Sequence, residues 1–167
     1  MDEQARKTAL RMIPYGLYVL TAGTKETAIA SATINWVTQT SFAPPLLALG
    51  IKTDSAVYAT ARKSGDLVLN ILGKGQGGLA FAFFKPAEYA NGKLGEQDVR
   101  WAANGAPILT SVPAAVELKV RQVVELGDHH TFVAEVTNVH INHEIAGRPD
   151  EAVLHMKDLG EKVFYGG

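Results

Sequence analysis

The hydrophobic positions of this chain fall mostly into runs of strand length bounded by turn residues, with a few helix-like stretches between them. "GLYVLTA" (16–22) is rich in β-branched and aromatic residues, "GTKET" (23–27) is turn material, and "AIASATI" (28–34) returns, which together predict a β-hairpin. "LLALGI" (46–51), directly after Pro44-Pro45, is continuously apolar and predicts a strand buried on both faces. "AVYATARKS" (56–64) predicts a helix capped by Asp54 or Ser55, closed by Gly65, with Arg62 and Lys63 where cations suit the dipole. "DLVLNIL" (66–72) predicts a further strand, and "LAFAFF" (79–84) a helix that stops at Lys85-Pro86. A short leading helix over 8–12 would end before Pro14. Val116, Leu118 and Val120 alternate with Glu117, Lys119 and Arg121, the period of a half-buried strand. "LGDHH" then turns, and "TFVAEVTNVHI" (131–141) comes back as the antiparallel partner. Between these, residues 87–111 scatter Gly, Asn and Pro without a sustained period and predict an extended loop, of the kind that is functional or lies against a partner. Strands that come in hairpin pairs predict an antiparallel barrel with peripheral helices rather than a βαβ array.

Composition narrows the chemistry. The 167 residues suit one domain spanning 1–167, and 47% hydrophobic with 20% charged residues is an ordinary globular balance. A formal net charge of −1 lacks the cationic footprint of a nucleic-acid binder. With no cysteine, disulfides, thiol nucleophiles, cysteine-held iron–sulfur clusters and thiolate zinc sites are excluded, so redox chemistry requires a bound cofactor. The first residues, "MDEQARKTALRM", carry no apolar leader, and no segment is apolar for long enough to span a bilayer; a cytoplasmic protein is expected, without a membrane partner.

Candidate chemistry concentrates in "TINWVTQTSFAPPLLALGIKTDSA" (33–56). Thr33, Asn35, Thr38, Gln39, Thr40 and Ser41 offer short polar groups on an irregular backbone beside a strand, which suits a flat heterocycle with a mixed donor and acceptor edge. Trp36 and Phe42 would supply aromatic walls, and Pro44-Pro45 a rigid end to the binding loop. "KTDS" (52–55) lies between a strand and a helix start, where free N–H groups and the dipole favour an anion, and Lys52, Thr53 and Ser55 are phosphate-type ligands. A planar ring at one end and a phosphate at the other describe a mononucleotide cofactor. Elsewhere the bland reading holds. "GKGQGG" (73–78) lacks the ending of a phosphate loop, and Phe81, Phe83 and Phe84 suit a core or dimer interface. His140 and His143 at strand spacing point to opposite faces, so with His155 they indicate no metal site.

In order, "GLYVLTA", residues 33–72 and "LAFAFF" resemble the flavin reductase-like family of FMN-binding split barrels, which includes flavoredoxins, ferric reductases and the reductase module of diflavin proteins. The resemblance covers roughly residues 15–84, and "GDHH" followed by "TFVAEV" resembles the family's later Gly-Asp-His turn and strand. It implies a mainly β fold, an antiparallel FMN-binding split β-barrel with peripheral helices, and a homodimer with FMN near the interface. FMN, with FAD as a possible substitute, would take a hydride from NADH or NADPH and pass electrons to a small-molecule or redox-protein acceptor. By position, Asn35, Trp36, Val37, Thr38, Gln39 and Ser41 would contact the isoalloxazine and ribityl chain, and Lys52, Thr53 and Ser55 the phosphate. His129 would be the catalytic histidine that orients nicotinamide or substrate, with His130 beside it as the competing candidate. Ala43 stands where many members carry an acidic residue. Two other classes share these motifs: an FMN electron-transfer module reduced by a protein partner, and a non-catalytic split-barrel binder.

Overall fold

A computed structural model describes all residues, 1–167. The expected hairpin forms, with β1 (Tyr18–Ala22) and β2 (Ala30–Ile34) antiparallel and Tyr18 opposite Ile34. β3 (Val37–Phe42) and β4 (Pro45–Lys52) follow as a second hairpin, α2 (Ala56–Ser64) leads into β5 (Asp66–Ile71), and the long pair β10 (Ala114–Val124) and β11 (His129–Ile141) completes the sheet. The strand order is β2-β1-β5-β10-β11-β4-β3, antiparallel at every pairing. The order begins at β2 and ends at β3, with no ladder joining these two edges: the sheet curls into a barrel that stays split.

The interior of that barrel is filled by Leu20, Leu49, Ile51, Leu67, Leu69, Leu118 and Phe132, together with Val57 and Ala61 of α2. α2 holds its place because both ends are specified. Ser55 accepts a hydrogen bond from the Tyr58 amide, and Gly65 closes the helix in the left-handed conformation at φ 68°. On the opposite face of β1, Leu17 and Val19 pack with Leu72, Ala80, Phe83 and Leu94. β1 and β5 are thus buried on both faces, and their near-continuous apolar sequence follows from that.

Several expectations are corrected. Residues 87–111 are not an extended loop: β6 (Tyr89–Ala90), β7 (Lys93–Leu94), β8 (Gln97–Trp101) and β9 (Pro107–Leu109) form a small antiparallel sheet. Long-range polar anchors specify it. The Leu109 amide donates to Asn70 Oδ1 at 2.8 Å and the Thr21 hydroxyl to the Pro107 carbonyl at 2.6 Å, both buried, which ties β9 to β1 and β5. Residues 46–51 are buried at Leu49 and Ile51 but only partly at their neighbours: Leu47 packs on the barrel core from the same face, and Gly50 on the outer face lines a cavity. The leading helix, α1 (Glu3–Arg11), starts earlier than expected on an Asp2 cap and buries no residue. α3 spans Gly77–Ala82 and ends before Phe83. The carbonyls of Ala80 and Phe83 accept instead from the Thr33 hydroxyl and amide, at 2.8 and 3.0 Å. Glu117, expected on the solvent face of β10, is 1% exposed beneath the loop carrying residues 103–104.

Candidate functional site

On the split side of the barrel, a cavity of about 450 Å³ opens between β2 and the end of β4. Ala32, Thr33 and Ile34 form one wall, Gly50, Ile51 and Lys52 another, His129 stands at the end of the neighbouring strand, and Ser55 lies at the start of α2. Five of the candidate site residues singled out in the sequence therefore meet in one place: Thr33, Asn35, Lys52, Ser55 and His129. The register explains the meeting, since His129 pairs directly with Lys52 across β11 and β4 and the two side chains share one face of the sheet. Gly50, two residues before Lys52, is on that same face. The Trp36 ring lies over it so closely that a Cβ there would stand 3.2 Å from the ring.

His129 is the first residue of β11 rather than part of a free turn, so its ring direction is set by the sheet. Asp128 Oδ1 lies 2.8 Å from Nδ1, the Trp36 ring packs against the imidazole at 4.5 Å between centroids, and Nε2 lies 2.7 Å from the Tyr165 hydroxyl. Because a carboxylate only accepts, Nδ1 carries the proton facing Asp128; in the neutral ring the Tyr165 hydroxyl therefore donates to Nε2. The hydrogen bond from His129 holds the Asp128 carboxyl below its ordinary range. His130 points to the opposite face, where Nδ1 meets the Tyr58 hydroxyl at 2.8 Å. Of the two histidines in the motif, His129 faces the cavity.

At the other end, Lys52 Nζ is paired with Asp54 at 3.0 Å, and that hydrogen bond raises the pKa of the ammonium. Ser55 is committed locally: its hydroxyl donates to the Lys52 carbonyl at 2.7 Å and accepts from the Tyr58 amide. Thr53 donates from both its amide and its hydroxyl to the Asp128 carbonyl, locking the loop after β4 to the turn that presents His129. The phosphate-type loop and the histidine turn are thus one hydrogen-bonded unit.

Residues 35–41 are not an irregular loop. Asn35 is buried at 3% exposure and Trp36 half-buried, but from Val37 onward the chain is the edge strand β3, with a register shift between Gln39 and Ser41. Val37 packs on the barrel core, Thr38 and Gln39 face solvent, and Ser41 lies further along the strand; none of them lines the cavity. Phe42 is 91% exposed at the far hairpin turn, so Trp36 alone of the two expected aromatics stands at the site. Of the phenylalanine cluster, Phe83 is buried and, with Phe84, lines the cavity, whereas Phe81 is exposed. His140 donates to Glu117 instead of facing the site.

Sequence reasoning missed Tyr165, which completes the aromatic group at 5.5 Å from Trp36 and whose carbonyl accepts from Asn35 Nδ2 at 3.1 Å. Burial pushes its phenol pKa up. The only local signal is the pair of aromatics in "VFYGG" (163–167), which carries no strand or helix period.

Three comparisons bear on these features. A family model described as a flavin reductase like domain matches residues 10–159. An NADH:FMN oxidoreductase of Rhodococcus qingshengii is 30% identical over 138 residues, covering 80% of this chain and 68% of the relative. Diflavin flavoprotein A 1 of Synechocystis is 32% identical over 139 residues, covering 83% of this chain and 24% of the relative. The chain spans less than a quarter of the length of the diflavin flavoproteins it matches. Among solved structures, the styrene monooxygenase flavin reductase of Pseudomonas putida S12 superposes with a TM-score of 0.69 at 24% identity, covering 81% of this chain and 86% of that one.

Proposed function

The chain belongs to the flavin reductase-like domain family, and we propose that it acts there as an FMN-binding, NAD(P)H-dependent reductase that delivers electrons to a small-molecule acceptor such as free flavin or a ferric chelate, or to a protein. The observation that carries this reading is the single cavity joining a lysine at a helix start to a buried amide and a tryptophan-backed histidine. Its chemistry fits a flavin mononucleotide. The volume is in the range of small-ligand sites. Trp36 Nε1 is a buried donor without a partner. β3, as the last strand of the sheet, turns alternate N–H groups outward where a ring edge can accept them.

When bound, FMN supplies a ring that accepts a hydride. The protein's part is to bind, orient and shield. Lys52 and the first amides of α2 would hold the phosphate, with Thr53 and Ser55 keeping that corner in shape through their bonds to Asp128 and Lys52. Asn35 and the backbone from Trp36 to Thr38 would meet the ring, and Gln39 and Ser41 would extend the contact along β3. His129, fixed by Asp128 and Trp36, would aim Nε2 at the incoming nicotinamide or acceptor. FAD can use the same corner with its adenylate left outside. We place the protein in the cytoplasm as a homodimer, the second copy covering the open β3 edge and exposed Phe42.

The diflavin relatives, of which this chain matches only one part, favour a second reading: an electron-transfer module reduced by a protein partner. Stopped-flow reduction separates the two. Rapid bleaching by NADH or NADPH supports the reductase, and reduction that waits for a protein donor supports the module. Within the reductase reading, His129→Ala slows reduction by NADH roughly tenfold while FMN stays bound. Unchanged kinetics would remove His129 from the mechanism.

A further inference from the structure

We propose that residues 163–167 are an intramolecular stand-in for a planar ring ligand, a strap that fills the ring end of the cavity and must swing out before the ligand's ring is seated. The inference rests on the reading of this cavity as a flavin and nicotinamide site. What the strap satisfies describes the ligand it replaces. Its carbonyl at Tyr165 accepts from the buried Asn35 amide at 3.1 Å, its hydroxyl meets His129 Nε2 at 2.7 Å, and its ring lies 5.5 Å from Trp36. A planar ring whose edge carries a carbonyl beside an N–H would engage the same three groups, the carbonyl accepting from Asn35, the N–H donating to His129 Nε2 and the ring lying against Trp36. Isoalloxazine and nicotinamide carboxamide both have that chemistry.

The strap is held from outside by contacts that can be released. Arg11 Nε donates to the Gly166 carbonyl at 3.3 Å, and the guanidinium sits 4.4 Å from the centre of the Phe164 ring. Arg11 belongs to α1, which buries no residue, so its latch costs little to open. Phe164 and Tyr165 remain about half exposed, and the positive φ values of Gly160 and Gly166, 134° and 124°, mark glycine positions that can absorb a backbone swing. Beyond the strap lies a second cavity of about 560 Å³, bordered by Arg11, His155 and Lys157, which shares Met156, Val163, Phe164 and Tyr165 with the first. The strap is therefore a partition with open volume on both sides, and its displacement meets no packed core.

A ligand that must displace the strap binds with its affinity reduced by the fraction of molecules in which the strap is out. Removing the Tyr165 ring takes away its tilted contact with Trp36 and one hydrogen bond, and roughly a tenfold gain in the open fraction is expected. Tyr165→Ala and Tyr165→Phe test this. FMN is titrated into flavin-free protein by flavin fluorescence, and KM and kcat for NADH are measured on FMN-loaded protein. A dissociation constant for FMN that falls about tenfold in Tyr165→Ala means the strap stands in for isoalloxazine; a fall confined to the KM for NADH, with kcat kept, means it stands in for nicotinamide. Tyr165→Phe, which keeps the ring, gives the smaller shift of the two. Chymotrypsin cleavage after Phe164 or Tyr165 in wild-type protein should quicken when FMN and NAD⁺ are added. Equal FMN affinity, equal KM and unchanged cleavage overturn the strap and leave the reductase reading standing. Flavin bound by neither wild type nor Tyr165→Ala removes that reading and the strap's ligand with it.

Discussion

Glu117 gives the most quantitative test of how this barrel is held together. Its carboxylate is 1% exposed and accepts four hydrogen bonds: from the Ala103 and Asn104 amides at 3.3 and 3.1 Å, Asn138 Nδ2 at 3.1 Å and His140 Nε2 at 2.7 Å. Burial raises the carboxyl pKa, but these four donors together outweigh it and the group stays below its ordinary value. Glu117→Gln keeps the shape and puts an amide donor where one oxygen accepted. Oε1 serves Ala103, Asn138 and His140 while Oε2 serves Asn104, so the best placement of the new amide still faces the Asn104 N–H with a donor. One buried bond is lost outright and three lose their charge assistance, for about 2 kcal/mol. In a domain of this size that lowers Tm by about 5 °C. Urea unfolding at pH 7 should show the same loss with the m-value unchanged. The pH dependence carries a sign. A carboxylate whose folded pKa is depressed contributes stability that is present above its unfolded pKa and is lost as pH falls through the folded one. The gap between wild type and Glu117→Gln should therefore narrow on acidification. A variant as stable as wild type at pH 7, or a gap that widens with acid, would refute the cluster's role.

Three further outcomes follow from the site. Lys52→Ala should weaken FMN binding roughly tenfold, the loss of one charge-assisted phosphate contact, and because Asp54 raises the Lys52 pKa, affinity in wild type should persist as pH climbs through the ordinary lysine range; fluorescence titration checks both. Gly50→Ala should destabilise by about 1 kcal/mol and reduce FMN affinity, since the new methyl would meet the Trp36 ring at 3.2 Å and push it off His129; urea unfolding and FMN titration read the two effects. Asp128→Asn should slow reduction by NADH several-fold at unchanged FMN affinity, because a neutral amide accepts more weakly from His129 Nδ1 and, turned over, presents a donor there, so the tautomer of His129 is no longer fixed; stopped-flow absorbance measures it.

What the sequence revealed and concealed has a physical pattern. The hairpins, α2 and its caps depend on neighbours close in the chain, so Ser55 and Gly65 could be recognised from local chemistry. The cavity's two ends were visible too, because Lys52 follows a strand and precedes a helix start, and "GDHH" sits between two strands. Features made by distant partners were hidden. The small sheet over residues 89–109 depends on Asn70 and Thr21, some forty to ninety positions away, and its strands are two to five residues long. Glu117 continues the polar phase of an alternating strand, and only the loop folded over it makes it a buried cluster. Tyr165 reaches His129 across 36 positions from a segment with no periodicity, so nothing local marks it.

The most direct test of the central claim is the visible absorption spectrum of freshly purified protein, followed by anaerobic addition of NADH and then NADPH. A bound flavin spectrum that bleaches with a reduced nicotinamide is the predicted result. A colourless protein that stays colourless after FMN is supplied would contradict the account at its root.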